Sequence, residues 1–247
     1  MADGRQTDAA APDAAPAPTC PAALAISGLV AYLPLDDGSG STAKDKAAIP
    51  HDAELSGATW TTGRMGGALA FGAKTDFGSL ASGPQLDDLR SMSVCAWIRP
   101  DIAVAPYGRP YMTLVDKTDM GGPGWSFYLN LSTVAPLGWH ITFYSNYNDI
   151  LGGGLVPVST WTHVCATWDG SPVITGILLY VNGVKTPAFA GSETSSTLNT
   201  DVGTQVRLGS TNNPANSDAI RGAIDEVVIY DHALTGQQIL SIYQCAH

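Results

Sequence analysis

Charge is scarce in this chain. Asp, Glu, Lys and Arg make up 14% of its 247 residues, and glutamate occurs only as Glu54, Glu193 and Glu226. Carboxylates that act together across a scissile bond must stand within several ångströms of each other. Glutamates this far apart in sequence form no such motif. Cations are scarcer still: 12 Lys and Arg against 22 Asp and Glu leave a formal net charge of −10. A phosphate backbone is neutralised by Lys and Arg, so nucleic acid is not an expected partner. Cations, neutral glycans and basic proteins are compatible with an acidic surface. No apolar run approaches the roughly 18 residues of a membrane span. No CxxC or Cys/His cluster is present, so no zinc site is expected. No Gly-x-Ser-x-Gly elbow appears either. The opening MADGRQTDAA is polar and shows no export leader. Its Met reads as a start added to a trimmed chain, so the missing leader does not argue against export.

Cysteine is also sparse, with Cys20, Cys95, Cys165 and Cys245 widely spaced. Cys20 stands where the ordered pattern begins and Cys245 where it ends. The ends of a closed sandwich often lie side by side, which suggests Cys20 with Cys245 and leaves Cys95 with Cys165. Two disulfides would imply an oxidising compartment. Four reduced, buried thiols are the alternative.

Residues 1–19, MADGRQTDAAAPDAAPAPT, are rich in Ala, Pro and Asp with no apolar period. They read as a solvated linker or tail, a tether or a processing remnant, ahead of a single domain over 20–247. From residue 26 onward the chain is punctuated strands: GLVAYLPL (28–35), GALAF (67–71), MSVCAWIR (92–99), YMTLV (111–115), WSFYLNL (125–131), WHITFY (139–144), WTHVCATW (161–168), GILLYVNG (176–183), QVRLG (205–209) and AIDEVVIY (223–230). Gly, Pro, Asn or Asp separates nearly every pair. VNGV (181–184) predicts a type I′ hairpin turn. LTGQQILSIYQC (234–245) predicts a helix, with Thr235 as N-cap and Gln238 three residues on. Many strands and one short C-terminal helix give an all-β chain, an antiparallel two-sheet sandwich or jelly roll.

Side chains alternate faces along a strand. In 92–99, Met92, Val94, Ala96 and Ile98 share one face, and Ser93, Cys95, Trp97 and Arg99 the other. In 161–168, Thr162, Val164, Ala166 and Trp168 oppose Trp161, His163, Cys165 and Thr167. Each cysteine lies on the more polar face, so neighbouring strands would let the two bond.

His163-Val-Cys165-Ala-Thr167-Trp168 resembles the pentraxin signature His-x-Cys-x-Ser/Thr-Trp, and SVCAWIRP resembles the strand that carries its partner cysteine. Four further blocks resemble bacterial laminin-G-like domains: GLVAYLPLDDGSGSTAKDKAAIPHDAEL, GATWTTGRMGGALAFGA, WTHVCATWDG…LLYVNG and GAIDEVVIYDHALTGQQI. The resemblance spans about residues 28–243. It implies a concanavalin-A-like jelly roll with one concave sheet and loops on its rim, and a Cys95–Cys165 disulfide. It also implies a structural calcium held by Asp45 and Asp52 in the N-terminal loop and by Asp225 in the DEV block, since Ca²⁺ takes six to eight loop oxygens. Here DKAAIPHDA stands where the relatives have a glycine-rich loop. Pentraxins bind ligand through rim loops that fall here near 116–124 and 210–220, with Asp116, Asp119, Asn212, Asn213 and Asp218 as oxygen donors. Their acidic calcium run is replaced by Asn-rich sequence, and their rings leave no readable motif.

Enzymes of this fold need residues that the chain lacks. Laminarinase-type hydrolases use Glu-x-Asp-x-x-Glu, and alginate-lyase-like relatives use Arg, Gln, His and Tyr on neighbouring strands. His163 is the one tempting base, and a packed strand histidine is the plainer reading. FYSNYND (143–149) offers Tyr144 and Tyr147 for sugar stacking and Asn146, Asn148 and Asp149 for hydroxyls, unless the aromatics simply fill the core. The expectation is a non-catalytic, extracellular or surface-held binding module for a glycan or cell-surface protein. The alternatives are a carbohydrate-active enzyme working around Trp97, Trp161 and His163, or a structural domain of a surface assembly. Oligomeric state and ligand identity are not legible.

Overall fold

Glycine, proline, asparagine and aspartate cut the chain into short extended runs, and the runs pair into two antiparallel sheets. The computed structural model describes residues 25–101, 111–118, 123–130, 137–142, 147–152, 154, 156–192, 200–213 and 218–245, with the backbone alone for 137–142, 147–152 and 188–192. In chain order the strands are β1 (Leu29–Leu33), β2 (Thr42–Ala43), β3 (Ala53–Ser56), β4 (Thr59–Thr62), β5 (Gly67–Phe71), β6 (Phe77–Leu80), β7 (Met92–Pro100), β8 (Tyr111–Asp116), β9 (Gly124–Asn130), β10 (Leu137–Thr142), β11 (Tyr147–Gly152), β12 (Thr162–Trp168), β13 (Ile177–Val181), β14 (Val184–Lys185), β15 (Ala188–Ser192), β16 (Val206–Leu208) and β17 (Gly222–Tyr230). The helix α1 (Gly236–Cys245) follows. One sheet runs β14-β13-β12-β7-β17-β5-β4, with β1 also paired to β17. The other runs β15-β11-β10-β9-β8-β16-β6-β3-β2.

Strand parity builds the core. Met92, Val94, Ala96 and Ile98 of β7, Val164, Ala166 and Trp168 of β12, and Ile224, Val227 and Ile229 of β17 point inward. They meet Leu80, Met112, Leu114, Phe127, Leu129 and Leu208 of the opposite sheet. The inward spacing on β17 slips from two residues to three between Ile224 and Val227, because the register against β7 shifts between Asp225 and Val228. An extra residue of this kind is a β-bulge, and Glu226 adopts φ +51° there. The bulge restores the inward phase of the apolar residues and leaves a carboxylate pair at the kink.

The Asn-Gly turn closes β13 onto β14, with φ of 49° at Asn182 and 76° at Gly183, both positive as a type I′ turn requires. At the N-terminus of α1 a capping box forms: Gln238 N donates to Thr235 Oγ1 at 3.3 Å, and Thr235 N donates to Gln238 Oε1 at 2.8 Å. The short strands β2, β3, β4, β6, β14 and β15 are not among the expected runs, and neither is β11. They are brief, polar or glycine-containing, and their extended form comes from ladder partners rather than apolar pattern.

Candidate functional site

On β7 and β12 the ladder sets Cys95 opposite Cys165 and Trp97 opposite His163. Cys95 and Cys165 form a disulfide. The face that carries them is polar in sequence but is not open. A second apolar cluster covers it, in which Leu234 and Ile239 pack with Cys95, Cys165, Tyr180, Val228 and Tyr230. Its polar members serve the cover itself: Ser93 Oγ donates to His232 O at 2.8 Å and accepts from Leu234 N at 2.8 Å, which ties down the approach to α1. From α1, Tyr243 stacks on Trp97 with centroids 5.7 Å apart and reaches His163 at 5.8 Å. Trp97 and His163 lie 5.3 Å apart. Trp97 is 3% exposed and His163 1%. Arg64 places its guanidinium 4.9 Å above Trp97. One residue pair further along, where the face is less covered, Arg99 lies 5.3 Å from the ring of Trp161 and pairs with Asp101 at 3.5 Å. The region around Trp97, Trp161 and His163 is therefore not an open cleft, because α1 occupies its centre.

The β17 bulge holds Asp225 at 0% exposure. Its Oδ2 accepts from Arg64 N at 2.7 Å and Met65 N at 3.0 Å, the amides of the tight turn before β5. A Cβ on Gly63 would come within 2.6 Å of that oxygen, so glycine is needed for the approach. Asp225 Oδ1 is buried with no hydrogen-bond partner. Burial drives the Asp225 carboxyl up to about 7, only partly opposed by the Met65, Arg64 and Glu226 amides. Glu226 rises to about 8, through burial first and then the charges of Asp225 and Asp36, although Tyr32 donates to it at 2.9 Å. Asp36 accepts from Gly67 N at 2.6 Å. Asp36 and Glu226 were not expected as site residues; the DD pair before GSG and the Glu following Asp225 were the only sequence signals for them.

The raised carboxyls give a signed prediction. The fold retains protons at Asp225 and Glu226 that the unfolded chain releases near its ordinary carboxylate pKa of about 4. That contribution is complete below about pH 4 and is lost as pH rises through about 7 to 8. In EDTA, the melting temperature should fall from about pH 5 to about pH 8, and Asp225→Asn should flatten the profile. A melting temperature that climbs over that range contradicts the assignment.

The other two aspartates expected to hold calcium are occupied otherwise. Asp45 accepts from Tyr32 N and Ala47 N, each at 2.8 Å, and from His51 N at 2.7 Å. Asp52 accepts from Asp45 N at 3.0 Å and pairs with Lys44 Nζ at 2.6 Å. The Lys44 hydrogen bond holds the Asp52 carboxyl below its ordinary value. Asp45 and Asp52 thus organise their own loop. They do not join Asp225 in a three-carboxylate cluster: among the described residues, the group of three potential metal ligands is Cys95, His163 and Cys165.

Of the expected rim donors, Asp119, Tyr144 and Asn146 lie outside the described residues, as does Cys20. Tyr147 and Asn148 belong to β11, where they pair with Thr142 and Ile141 of β10. Asn212 is used for scaffolding: its backbone N and Nδ2 donate to Asp116 Oδ2 at 3.2 and 3.3 Å, and Nδ2 donates to Gln205 O at 2.9 Å. Asn213 O accepts from Thr211 Oγ1. Asp116 is fully buried, and its carboxyl is pushed up to about 6 by burial against the hydrogen bonds of Asn212, Thr118 and Ser126. Among the described residues Cys245, at the end of α1, has no disulfide partner. Behind the rim, Lys117 is 0% exposed and joins Asp87 and Asp201.

A laminin-G family model described as "Concanavalin A-like lectin/glucanases superfamily" matches residues 72–240. Among curated proteins nothing matches the sequence. Among solved structures, the chain is similar to the binding domain of Paraclostridial Mosquitocidal Protein 1, with a TM-score of 0.66 and 16% identity over 87% of this chain and 52% of that one. The botulinum neurotoxin serotype D/C VPI 5993 binding domain gives a TM-score of 0.64 and 14% identity over 89% and 52%. The botulinum neurotoxin type G receptor binding domain gives 0.61 and 12% over 88% and 51%. The chain spans about half the length of these structures. Among the described residues no helix is long and apolar enough to cross a membrane.

Proposed function

Because the chain belongs to the concanavalin A-like lectin/glucanases superfamily, we propose that it is a non-catalytic extracellular binding module that takes a glycan or a cell-surface protein. The observation that carries this reading is the filled face over β7 and β12. Tyr243 stands on Trp97 and His163, the carboxyl of Asp225 has no exposed surface, and no substrate reaches either. Two carboxyls with raised pKa suit acid–base chemistry in principle, but Asp225 is buried beneath a backbone turn, which leaves half-buried Glu226 without an accessible carboxyl partner from this pair. The similar solved structures are binding domains, which supports the reading through fold alone. A disulfide suits an exported chain. Recognition is assigned to the FYSNYND sequence at 143–149 and to Trp161, where Arg99 backs an aromatic face of the kind that stacks on sugars. Tyr147→Ala and Trp161→Ala should each weaken binding by about tenfold, roughly the 1–2 kcal/mol of one aromatic contact. Binding unchanged in both places the ligand elsewhere and rejects this surface.

The calcium expectation narrows to the bulge. Asp225 keeps a buried oxygen without a donor, beside the charges of Asp36 and Glu226. A hard cation at that oxygen would offset the negative charge of Asp225 and its neighbours. At about pH 8, calcium should raise the melting temperature of the wild type and leave that of Asp225→Asn unmoved. A melt indifferent to both calcium and EDTA rejects a stabilising ion.

A further inference from the structure

No Cys/His cluster is visible along the sequence, yet the fold assembles one. Cys95 and Cys165 face each other across the β7–β12 ladder, and His163 sits two residues from Cys165 on the same face. Both ring nitrogens of His163 lie 3.9 Å from Cys165 Sγ. The ligand atoms of all three residues lie within 4.8 Å of one another, and all three side chains are buried. Ligands at zinc distances of 2.0–2.3 Å in a tetrahedral shell stand about 3.5 Å apart. The nitrogen–sulfur spacing of 3.9 Å is within about 0.4 Å of that value, and because both nitrogens are equidistant from the sulfur the ring must also turn to aim one lone pair at a shared ion. The two sulfurs need only separate once their bond is gone.

We propose that Cys95, Cys165 and His163 are a redox-gated site: a disulfide when oxidised, and a Cys₂His site for zinc when reduced. Two thiolates and an imidazole select a thiophilic cation such as Zn²⁺ over Ca²⁺ or Mg²⁺. The chemistry balances. An external dithiol exchanges with the Cys95–Cys165 bond, leaving two thiols here and a disulfide on the reductant. One Zn²⁺ then displaces both thiol protons to solvent, and neutral His163 gives the lone pair of one ring nitrogen. The residues that pack His163 in the oxidised state, Trp97 and Tyr243, also cover the site. Ile239 and Leu234 close it above the sulfurs, so both reduction and metal exchange require α1 to lift. The same three side chains thus hold β7 to β12 in either redox environment, by a covalent bond in one and by a shared ion in the other.

The test uses the full chain with Cys20→Ser and Cys245→Ser, which leaves the pair as its only thiols. After reduction with a phosphine, Co²⁺ is titrated as the spectroscopic stand-in. The expected result is a sulfur-to-cobalt charge-transfer band that saturates at one equivalent and is bleached by Zn²⁺. The band should be absent in the oxidised protein and in Cys165→Ser, and His163→Ala should weaken binding by at least about tenfold. Zinc should raise the melting temperature of the reduced protein and leave that of the oxidised protein unchanged. The proposal is overturned by a reduced protein that gives no band, by a band indifferent to His163→Ala, or by unfolding on reduction that zinc does not reverse. An unchanged near-UV circular dichroism spectrum in oxidised His163→Ala separates lost ligation from lost packing.

Discussion

Lys117→Met should destabilise the protein by about 3–5 kcal/mol, the largest cost expected of a single substitution here. Lys117 follows β8 and has no exposed surface. Its ammonium donates to Asp201 O at 2.8 Å and Asp201 Oδ1 at 2.9 Å, and it pairs with Asp87 Oδ1 at 2.8 Å. Three donors thus meet three acceptors, which is the complete capacity of an ammonium. The two acids are themselves anchored: Asp87 accepts from Ser82 Oγ, and Asp201 Oδ1 accepts from Asp88 N at 2.8 Å. Burial works to raise the Asp87 carboxyl, but Lys117 and Ser82 together hold it below its ordinary value. Removing the cation strands the buried carboxylate of Asp201 and the partly buried one of Asp87. Neutralising all three groups together should cost much less, because the penalty of breaking a buried ion pair is mostly that of the partner left uncompensated. Urea unfolding of Lys117→Met beside Lys117→Met/Asp87→Asn/Asp201→Asn measures both. A single mutant within about 1 kcal/mol of wild type shows that the cluster does not hold the loops.

Reducing the Cys95–Cys165 bond in EDTA should remove about 4 kcal/mol of stability. The bond closes a loop with a sequence separation of 70, and the denatured-chain entropy lost to a loop of that size gives this figure. Because reduction removes no side-chain atoms, it leaves no truncation cavity and isolates the cross-link better than substitution does. Chemical unfolding with and without reductant reads the difference. A change below about 1 kcal/mol shows that the β7–β12 ladder and the cover of α1 hold the strands without the bond. Zinc added to the reduced protein should recover part of the loss, which connects this measurement to the redox-gated site.

The architecture was largely legible from pattern, and the reason lies in the two central strands. Met92, Val94, Ala96 and Ile98 alternate with Ser93, Cys95, Trp97 and Arg99, and both cysteines fall in phase, as the ladder shows. The capping box at Thr235 and Gln238 and the turn at Asn182-Gly183 are local devices whose chemistry is complete within four residues, so they survive reading without a structure. The site was not legible in the same way. Ser93 and His163 are polar because they serve the helix α1 and its approach packed on them, and no periodicity within a strand records what lies on top. Asp45 and Asp52 match a metal pattern in sequence, and in the fold their oxygens accept from backbone amides within 13 residues and, at Asp52, from the Lys44 ammonium. Asp225 falls among apolar residues near a strand centre, where a bare carboxylate is costly. Its partners, the amides of Arg64 and Met65, are 161 and 160 residues away. The triad of Cys95, His163 and Cys165 is likewise a product of strand pairing across the chain.

The central claim is binding without turnover, and a glycan array followed by product analysis tests it most directly. The labelled full chain is applied with calcium and with EDTA, and each bound polysaccharide is then incubated with the protein and examined for shortened products. The account predicts retention on a defined set of glycans, with every bound polysaccharide recovered at its original length. Depolymerisation of any polysaccharide by the pure protein would contradict it.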